Sequence, residues 1–114
     1  MPNHWIPKVY EIHGHWNVEA REDQHYFVLK EDFAAPDGAD LNIYLMPETL
    51  AHIGNRDMIE NKGGIRIGEL EKTSGAQEYL IPEDFNWKDF ASIVIYCRQD
   101  SVVWAGVDLS EVVM

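Results

Sequence analysis

The sequence has very little cysteine: Cys97 is the only one in 114 residues. A single cysteine cannot close a disulfide within the chain, which excludes the small disulfide-bonded scaffolds. The chain also lacks any apolar run near the roughly 20 residues that a membrane-spanning helix needs, and no charged and apolar leader stands at its N-terminus. These absences predict no membrane span. They leave two settings open, the cytoplasm or an exported protein whose leader has been removed.

Basic residues are scarce as well. Lys and Arg number 9 against 20 Asp and Glu, so the formal net charge is −11. Binding to nucleic acid or to an anionic membrane requires basic side chains opposite phosphates, so this balance argues against both as partners. The favoured interpretation is a solvated acidic surface, and the alternative is a surface that binds a cation or a basic protein partner.

The motifs of conventional enzymes are missing too. The chain has no nucleophile elbow, no phosphate-binding loop, no zinc-protease motif and no glycine-rich dinucleotide motif. The paired acids Glu31-Asp32 and Glu83-Asp84 have no spacing that marks a general acid and a general base. A redox or binding domain is therefore favoured over a conventional enzyme, and the sequence leaves enzymatic activity open.

What the sequence does contain is a long strand-forming region near its C-terminus. Residues 90–109 hold two stretches rich in β-branched and aromatic side chains, joined by a polar turn at 98–101. Neither stretch alternates apolar with polar residues, so both faces of both strands should be covered. This pattern predicts a hairpin at the centre of a sheet rather than at its edge.

The expected register of this hairpin concerns the single cysteine. A turn centred on residues 99–100 pairs Cys97 with Val102. The same register pairs Ile95 with Trp104. Cys97 and Trp104 should then share one face at the rim of the sheet.

Shorter strand patterns fill the rest of the chain. Val9 to Ala20 alternates apolar with polar residues, which predicts a half-buried strand with one wet face. Residues 47–63 form the longest segment without a strand pattern and should contain at most one short helix. Further strands are expected at 25–30, 41–45, 65–70 and 77–81, with a turn at 21–24 and a connector at 82–90 that covers one end of the core. The whole predicts an all-β fold, a single antiparallel β-sandwich of about seven or eight short strands, as one domain over 1–114 with a lead-in at 1–8 and a tail at 110–114.

Two groups of side chains have the composition of metal ligands. His13 and His15 are two residues apart in the first predicted strand, a spacing that aims both imidazoles to one side, where Zn²⁺ or Cu²⁺ binds. Asp32, Asp37 and Asp40 crowd one loop, and oxygen-rich loops of this kind bind Ca²⁺. In both groups the ordinary interpretation is favoured, namely solvated strand residues in the first and turn residues in the second.

A series of motifs follows a recognisable order along the chain. They are Leu29-Lys30-Glu31-Asp32-Phe33, Gly38-Ala39-Asp40-Leu41-Asn42-Ile43-Tyr44-Leu45, Ile67-Gly68-Glu69-Leu70, Gly75-Ala76-Gln77-Glu78-Tyr79-Leu80-Ile81-Pro82 and Ser92-Ile93-Val94-Ile95-Tyr96-Cys97. In order and spacing they resemble the DM-thirteen domain family, the electron-transfer domain of Skeletor-type extracellular proteins and of bacterial exported proteins. The resemblance covers roughly residues 10–109.

The resemblance implies a β-sandwich and a redox role for the family's shared cysteine, which is Cys97 here. That cysteine would act as a thiol or as a ligand to a prosthetic group, with Tyr96 and Trp104 beside it as cofactor-binding residues. The cofactor is unknown; a non-covalent haem or a metal ion is what the resemblance leaves open. It also implies an unidentified redox or protein partner and a periplasmic or extracellular location. The chain departs from the family's pattern at Asp100, Tyr96 and Val107, which makes the rim around Cys97 more polar.

Two functional hypotheses result. The leading one is a redox or electron-transfer accessory domain that acts through Cys97, whose thiol must then be accessible. The alternative is a non-catalytic binding module that presents an acidic surface to a cation or a protein partner. In that module Cys97 packs as a small buried hydrophobe.

Overall fold

The computed structural model describes residues 5–38, 40–54, 59, 63–81 and 90–109, which form an all-β fold of two antiparallel sheets. The elements are β1 (Ile6–Pro7), β2 (Trp16–Arg21), β3 (Gln24–Leu29), β4 (Leu41–Met46), a short 3₁₀ helix (Leu50–His52), β5 (Ile65–Glu69), β6 (Gln77–Ile81), β7 (Ser92–Cys97) and β8 (Val102–Asp108). Within these ranges no helix is long and apolar enough to cross a membrane. The predicted antiparallel β-sandwich of seven or eight short strands is confirmed.

The central hairpin lies where the sequence placed it. The larger sheet has the order β1-β8-β7-β4-β5, and the smaller sheet has the order β2-β3-β6. Each residue of β7 is paired with β4 on one side, and β8 lies on the other side. All of β7 is buried, and so is all of β8 except Asp108. The prediction that both faces of this hairpin are covered is confirmed.

Different layers cover the two faces of the larger sheet. Its inner face packs against the smaller sheet in a cluster that we call the inner core. Its outer face carries a second cluster, the outer core, which is covered by the segment that follows β4. The outer core consists of Tyr44, Met46, Leu50, Ile53, Ile59, Val94, Tyr96 and Val103. Because apolar residues are needed on both sides, β4 and β7 are buried at successive positions rather than at alternate ones.

The first predicted strand is shorter than expected. Val9 to Ala20 alternates throughout, but β2 begins only at Trp16. Gly14 has a φ of +108°, and a Cβ at this position would lie 2.5 Å from the Cα of Phe33. The chain bends here at close backbone contact, which only glycine permits. Residues 9–15 therefore lie outside the sheet, and Tyr10 is 44% exposed instead of facing the core.

The register of the hairpin also differs in part from the prediction. Cys97 pairs with Val102 as expected, but Ile95 pairs with Ala105. The predicted pairing of Ile95 with Trp104 is wrong because the register shifts between Ile95 and Tyr96, which leaves Trp104 as the extra residue of a β-bulge. Sequence alternation does not reveal such an insertion when both faces of the strand are apolar.

The structure describes only part of the predicted lead-in and of the last connector. The predicted lead-in at 1–8 contains a strand, because Ile6 and Pro7 pair with the edge of β8. Most of the predicted connector at 82–90 and the whole tail at 110–114 lie outside the described residues.

Truncation of Phe27 tests which face of the smaller sheet packs on the larger one. Phe27 is fully buried in the inner core, so Phe27→Ala should lower the free energy of unfolding by about 3–5 kcal/mol through lost burial and a cavity. Leu80 in the adjacent β6 is 43% exposed, so Leu80→Ala should change it by no more than about 0.5 kcal/mol. Urea unfolding measures both values, and equal losses would contradict this arrangement.

Candidate functional site

Cys97 is the last residue of β7, where the strand meets an exposed turn. Its backbone pairs with Val102 of β8 and Leu41 of β4. Its side chain is 3% exposed and belongs to the inner core together with these two neighbours. The next three residues, 98–100, are exposed. Cys97 is thus at the end of the core, covered by apolar side chains yet next in sequence to a solvated turn.

Trp104 belongs to the same inner core as Cys97 and is the extra residue of the bulge. The indole is 6% exposed. A Cβ on Gly38 would lie 2.4 Å from its Cη2 atom, so the ring packs directly against the backbone of the loop before β4. Tyr10 contacts the indole with ring centroids 4.5 Å apart and an angle of 56° between planes. Aromatic contacts therefore lead from the inner core to a ring that is partly exposed.

Tyr96 lies on the opposite face of the sheet from Cys97. It belongs to the outer core and packs edge-on against Tyr44, with ring centroids 5.8 Å apart and an angle of 88° between planes. Successive residues of a strand point to opposite faces, which separates Tyr96 from its neighbour in sequence. Of the three residues that the sequence grouped as a site, the structure brings Cys97 and Trp104 into one cluster and leaves Tyr96 in another.

The surroundings of Cys97 do not fit a haem or a metal ion. The side chain belongs to the inner core, and this cluster contains no His, Met, Asp, Glu or second Cys that could join it as a ligand. In the described parts of the chain, no group of three or more His, Cys, Asp or Glu side chains could hold a metal ion. A prosthetic group would need the packed rim to open before it reached the sulfur. The chemistry available to Cys97 in this arrangement is that of its own thiol.

The two histidines considered as a metal pair have different partners. The Nε2 atom of His13 is 3.9 Å from the carboxylate of Glu11. The Nδ1 atom of His15 is 2.5 Å from Oδ2 of Asp32, and the backbone amide of His15 donates to Oδ1 of Asp32 at 2.8 Å. Since residues 9–15 do not form a strand, the spacing of two does not aim these imidazoles at one point.

The carboxylates considered as Ca²⁺ ligands are also engaged separately. Asp37 accepts a hydrogen bond from the hydroxyl of Thr73 at 3.1 Å. Asp40 accepts one from the side-chain amide of Asn42 at 3.2 Å. Asp32 is held by the histidine described above. These carboxylates therefore have separate partners and do not converge on one point.

An open groove beside His15 and Asp32 is a feature that sequence reasoning missed. It has a volume of about 560 Å³ and is lined by His15, Trp16, Asn17, Lys30, Glu31 and Asp32. The pKa of Asp32 is held below its usual range, first by the backbone amide of His15 and then by its imidazole. The two residues are 17 apart in sequence, so no local spacing indicates the pair. Pairing of Trp16 with Leu29 at the open end of the first hairpin brings them together.

Comparison with known proteins agrees with the motif pattern. A family model described as Electron transfer DM13 matches residues 9–109, nearly the whole chain. The chain belongs to this family, and the resemblance drawn from its motifs is confirmed. At the level of the family, this supports a role related to electron transfer. No curated protein and no solved structure matches the chain significantly.

The Asp32 contact predicts a specific acid sensitivity. A carboxyl whose pKa is lower in the folded state contributes stability above its unfolded pKa of about 4, and that contribution is lost as the pH falls through the folded pKa. Asp32→Asn should therefore be less stable than wild type at neutral pH, and the difference should shrink on acidification below about pH 4. Urea unfolding across this range measures it, with Glu31→Gln as the neighbouring exposed control. A difference that stays constant with pH would contradict the pairing.

Proposed function

We propose that this member of the Electron transfer DM13 family is a redox accessory domain that acts through the sulfur of Cys97. The observation that carries the proposal is the position of Cys97 within the matched region, at the end of the central strand and directly before an exposed turn. Leu41, Val102 and Trp104 belong to the same cluster and are each 4–8% exposed, so they stand at the boundary of the core rather than deep inside it. A local opening of this rim would give access to the thiol.

The chemistry that suits a lone thiol is reversible two-electron oxidation. The Cys97 sulfur attacks one oxygen of a peroxide, the O–O bond breaks, and an S–O bond forms; sulfur loses two electrons and the peroxide is reduced to water. A thiol from a partner protein or a small thiol then attacks the sulfenic sulfur, an S–S bond forms and water leaves. No second cysteine exists in the chain to resolve the intermediate, so the partner thiol must come from outside.

The setting proposed for this role is periplasmic or extracellular, by resemblance to the exported members of the family. The partner is a redox protein or a small thiol rather than nucleic acid, since the net charge of −11 opposes contact with phosphates. Haem and metal remain outside the proposal because the residues around Cys97 do not fit them.

Alkylation of Cys97 in the native protein tests this function. We expect iodoacetamide to modify Cys97 at a rate that rises with pH and is proportional to reagent concentration, because the thiolate reacts after a local opening of the rim. Intact-mass measurement follows the reaction, and Cys97→Ala controls for modification elsewhere. If the rate is no faster than global unfolding allows, whether or not it depends on reagent concentration, Cys97 is reached only by unfolding and the redox role is wrong.

The second candidate function is a binding module in which Cys97 packs without reacting. Its 3% exposure is the observation that favours this alternative. The module would present its acidic surface to a cation or a protein partner.

Thermal melting separates the cation version of that module from the redox domain. A cation present at a concentration of 100 times its Kd for the native state stabilises that state by about 2.7 kcal/mol, which raises the midpoint of thermal unfolding. We expect the midpoint to be the same with Ca²⁺, with Zn²⁺ and with a chelator, since the described carboxylates and imidazoles do not converge. A rise with either ion that the chelator reverses would contradict this expectation and support the module.

A further inference from the structure

The contact between Tyr10 and Trp104 joins a partly exposed ring to a buried one. Their centroids are 4.5 Å apart, near the lower end of the range for interacting aromatic pairs. Tyr10 is 44% exposed, whereas Trp104 is 6% exposed. The neighbouring Val9 is 43% exposed as well. A molecule in solution can therefore touch Tyr10 but reaches little of Trp104.

The backbone holds these two rings in a defined position. The amides of three consecutive residues, Lys8, Val9 and Tyr10, are directed at the carbonyl oxygen of Trp104 at 2.9, 3.0 and 3.3 Å. Gly38 also leaves space that the indole occupies, since a Cβ at this position would lie 2.4 Å from its Cη2 atom. The segment 8–10 is thus fastened to the residue whose ring Tyr10 covers. These backbone hydrogen bonds therefore hold Tyr10 next to the indole, although its side chain is partly exposed.

We propose that Tyr10 and Trp104 form a one-electron redox site that connects the inner core with the surface. Indole and phenol are the protein side chains, besides thiols, that most readily give up one electron. A one-electron oxidant, such as the oxidised metal centre of a partner, takes an electron from Trp104 or Tyr10 and is itself reduced. When the indole is oxidised, its N–H proton passes to solvent water. In the next step the Trp104 radical takes one electron from the Tyr10 phenol and one proton from water, while the phenol releases its proton to water, which gives Trp104 indole and the Tyr10 phenoxyl radical.

That step balances, because one electron and one proton leave the phenol and one electron and one proton reach the indole. Tyr10 is the more exposed of the two residues, so it is suited to hold the radical where water can accept and return the phenolic proton. Reduction by one electron, with a proton from water, restores the phenol. Other described ring pairs are less suited: Trp5 and Trp16 contact phenylalanines, and Tyr44 and Tyr96 are both buried.

This site extends the proposed electron-transfer role without using the thiol. Cys97 belongs to the same inner core as Trp104, but neither reactant in the step above is sulfur. Thiol chemistry and the aromatic site can therefore fail or succeed separately.

Pulse radiolysis with the azide radical tests the aromatic site, because this small oxidant attacks indoles first and 6% of Trp104 is accessible to it. In wild type we expect a first-order phase, independent of protein concentration, in which indolyl absorbance falls while phenoxyl absorbance rises. The chain has 4 Trp and 5 Tyr, so the assignment rests on differences between variants. Tyr10→Phe keeps the ring contact and removes the phenol. This variant should lose the share of the phase amplitude in which the Trp104 indolyl radical is converted into the Tyr10 phenoxyl radical. Tyr26→Phe is the matched control, since Tyr26 lies under Arg21 on the smaller sheet, and it should retain that part.

Two further variants complete the test. Trp104→Phe should lose the same part of the phase as Tyr10→Phe, and Cys97→Ala should retain it, which separates this site from the thiol. Equal melting midpoints for Tyr10→Phe and wild type show that packing is unchanged. An unaltered phase in Tyr10→Phe overturns the proposal, even where Trp104→Phe fails to fold.

Discussion

Burial of β7 and β8 on both faces is the constraint on which the rest of this structure depends. A sheet can be apolar on both sides only if something covers each side. The smaller sheet covers the inner face, and the segment around the 3₁₀ helix covers the outer face. Both covering layers come from distant parts of the chain. They are needed because β7 and β8 have no polar face that could be exposed to water.

The bulge in β8 lies where the buried hairpin contacts a loop and the N-terminal segment. Without the extra residue, the register would have placed Trp104 opposite Ile95. With it, Trp104 and the following Ala105 both belong to the inner core. The indole of Trp104 packs so closely against the loop before β4 that only glycine fits at position 38. Tyr10 covers another part of the same ring. One inserted residue thus links the core, a loop and the N-terminal segment.

Hydrogen bonds to carboxylate side chains connect segments that lie outside the two sheets to the rest of the fold. The carboxylate of Asp32 receives both the amide and the imidazole of His15, at the open end of the first hairpin. Asp108 similarly accepts the amide of Leu50 at 2.9 Å, where the 3₁₀ helix begins. An acidic chain has many carboxylates available for such structural contacts, so acidic residues in its loops are poor indicators of a cation site. Asp37 and Asp40 illustrate this, since Asp37 accepts a hydrogen bond from Thr73 and Asp40 accepts one from Asn42.

The sequence by itself determined the strand content, the central hairpin and the family. These are properties of local composition and order: runs such as Ile93 to Tyr96 are strand-forming wherever they lie, and motif spacing is read directly along the chain. Only the tertiary structure decided three other matters, namely the break at Gly14, the bulge at Trp104 and the pairing of His15 with Asp32. Each depends on a contact outside its own segment. At Gly14 the contact is with the backbone of Phe33, at Trp104 it is the pairing of β8 with β7, and at His15 it is with the carboxylate of Asp32. No periodicity within one segment records such a contact, because the pattern of a single strand is the same whichever neighbour the fold brings to it.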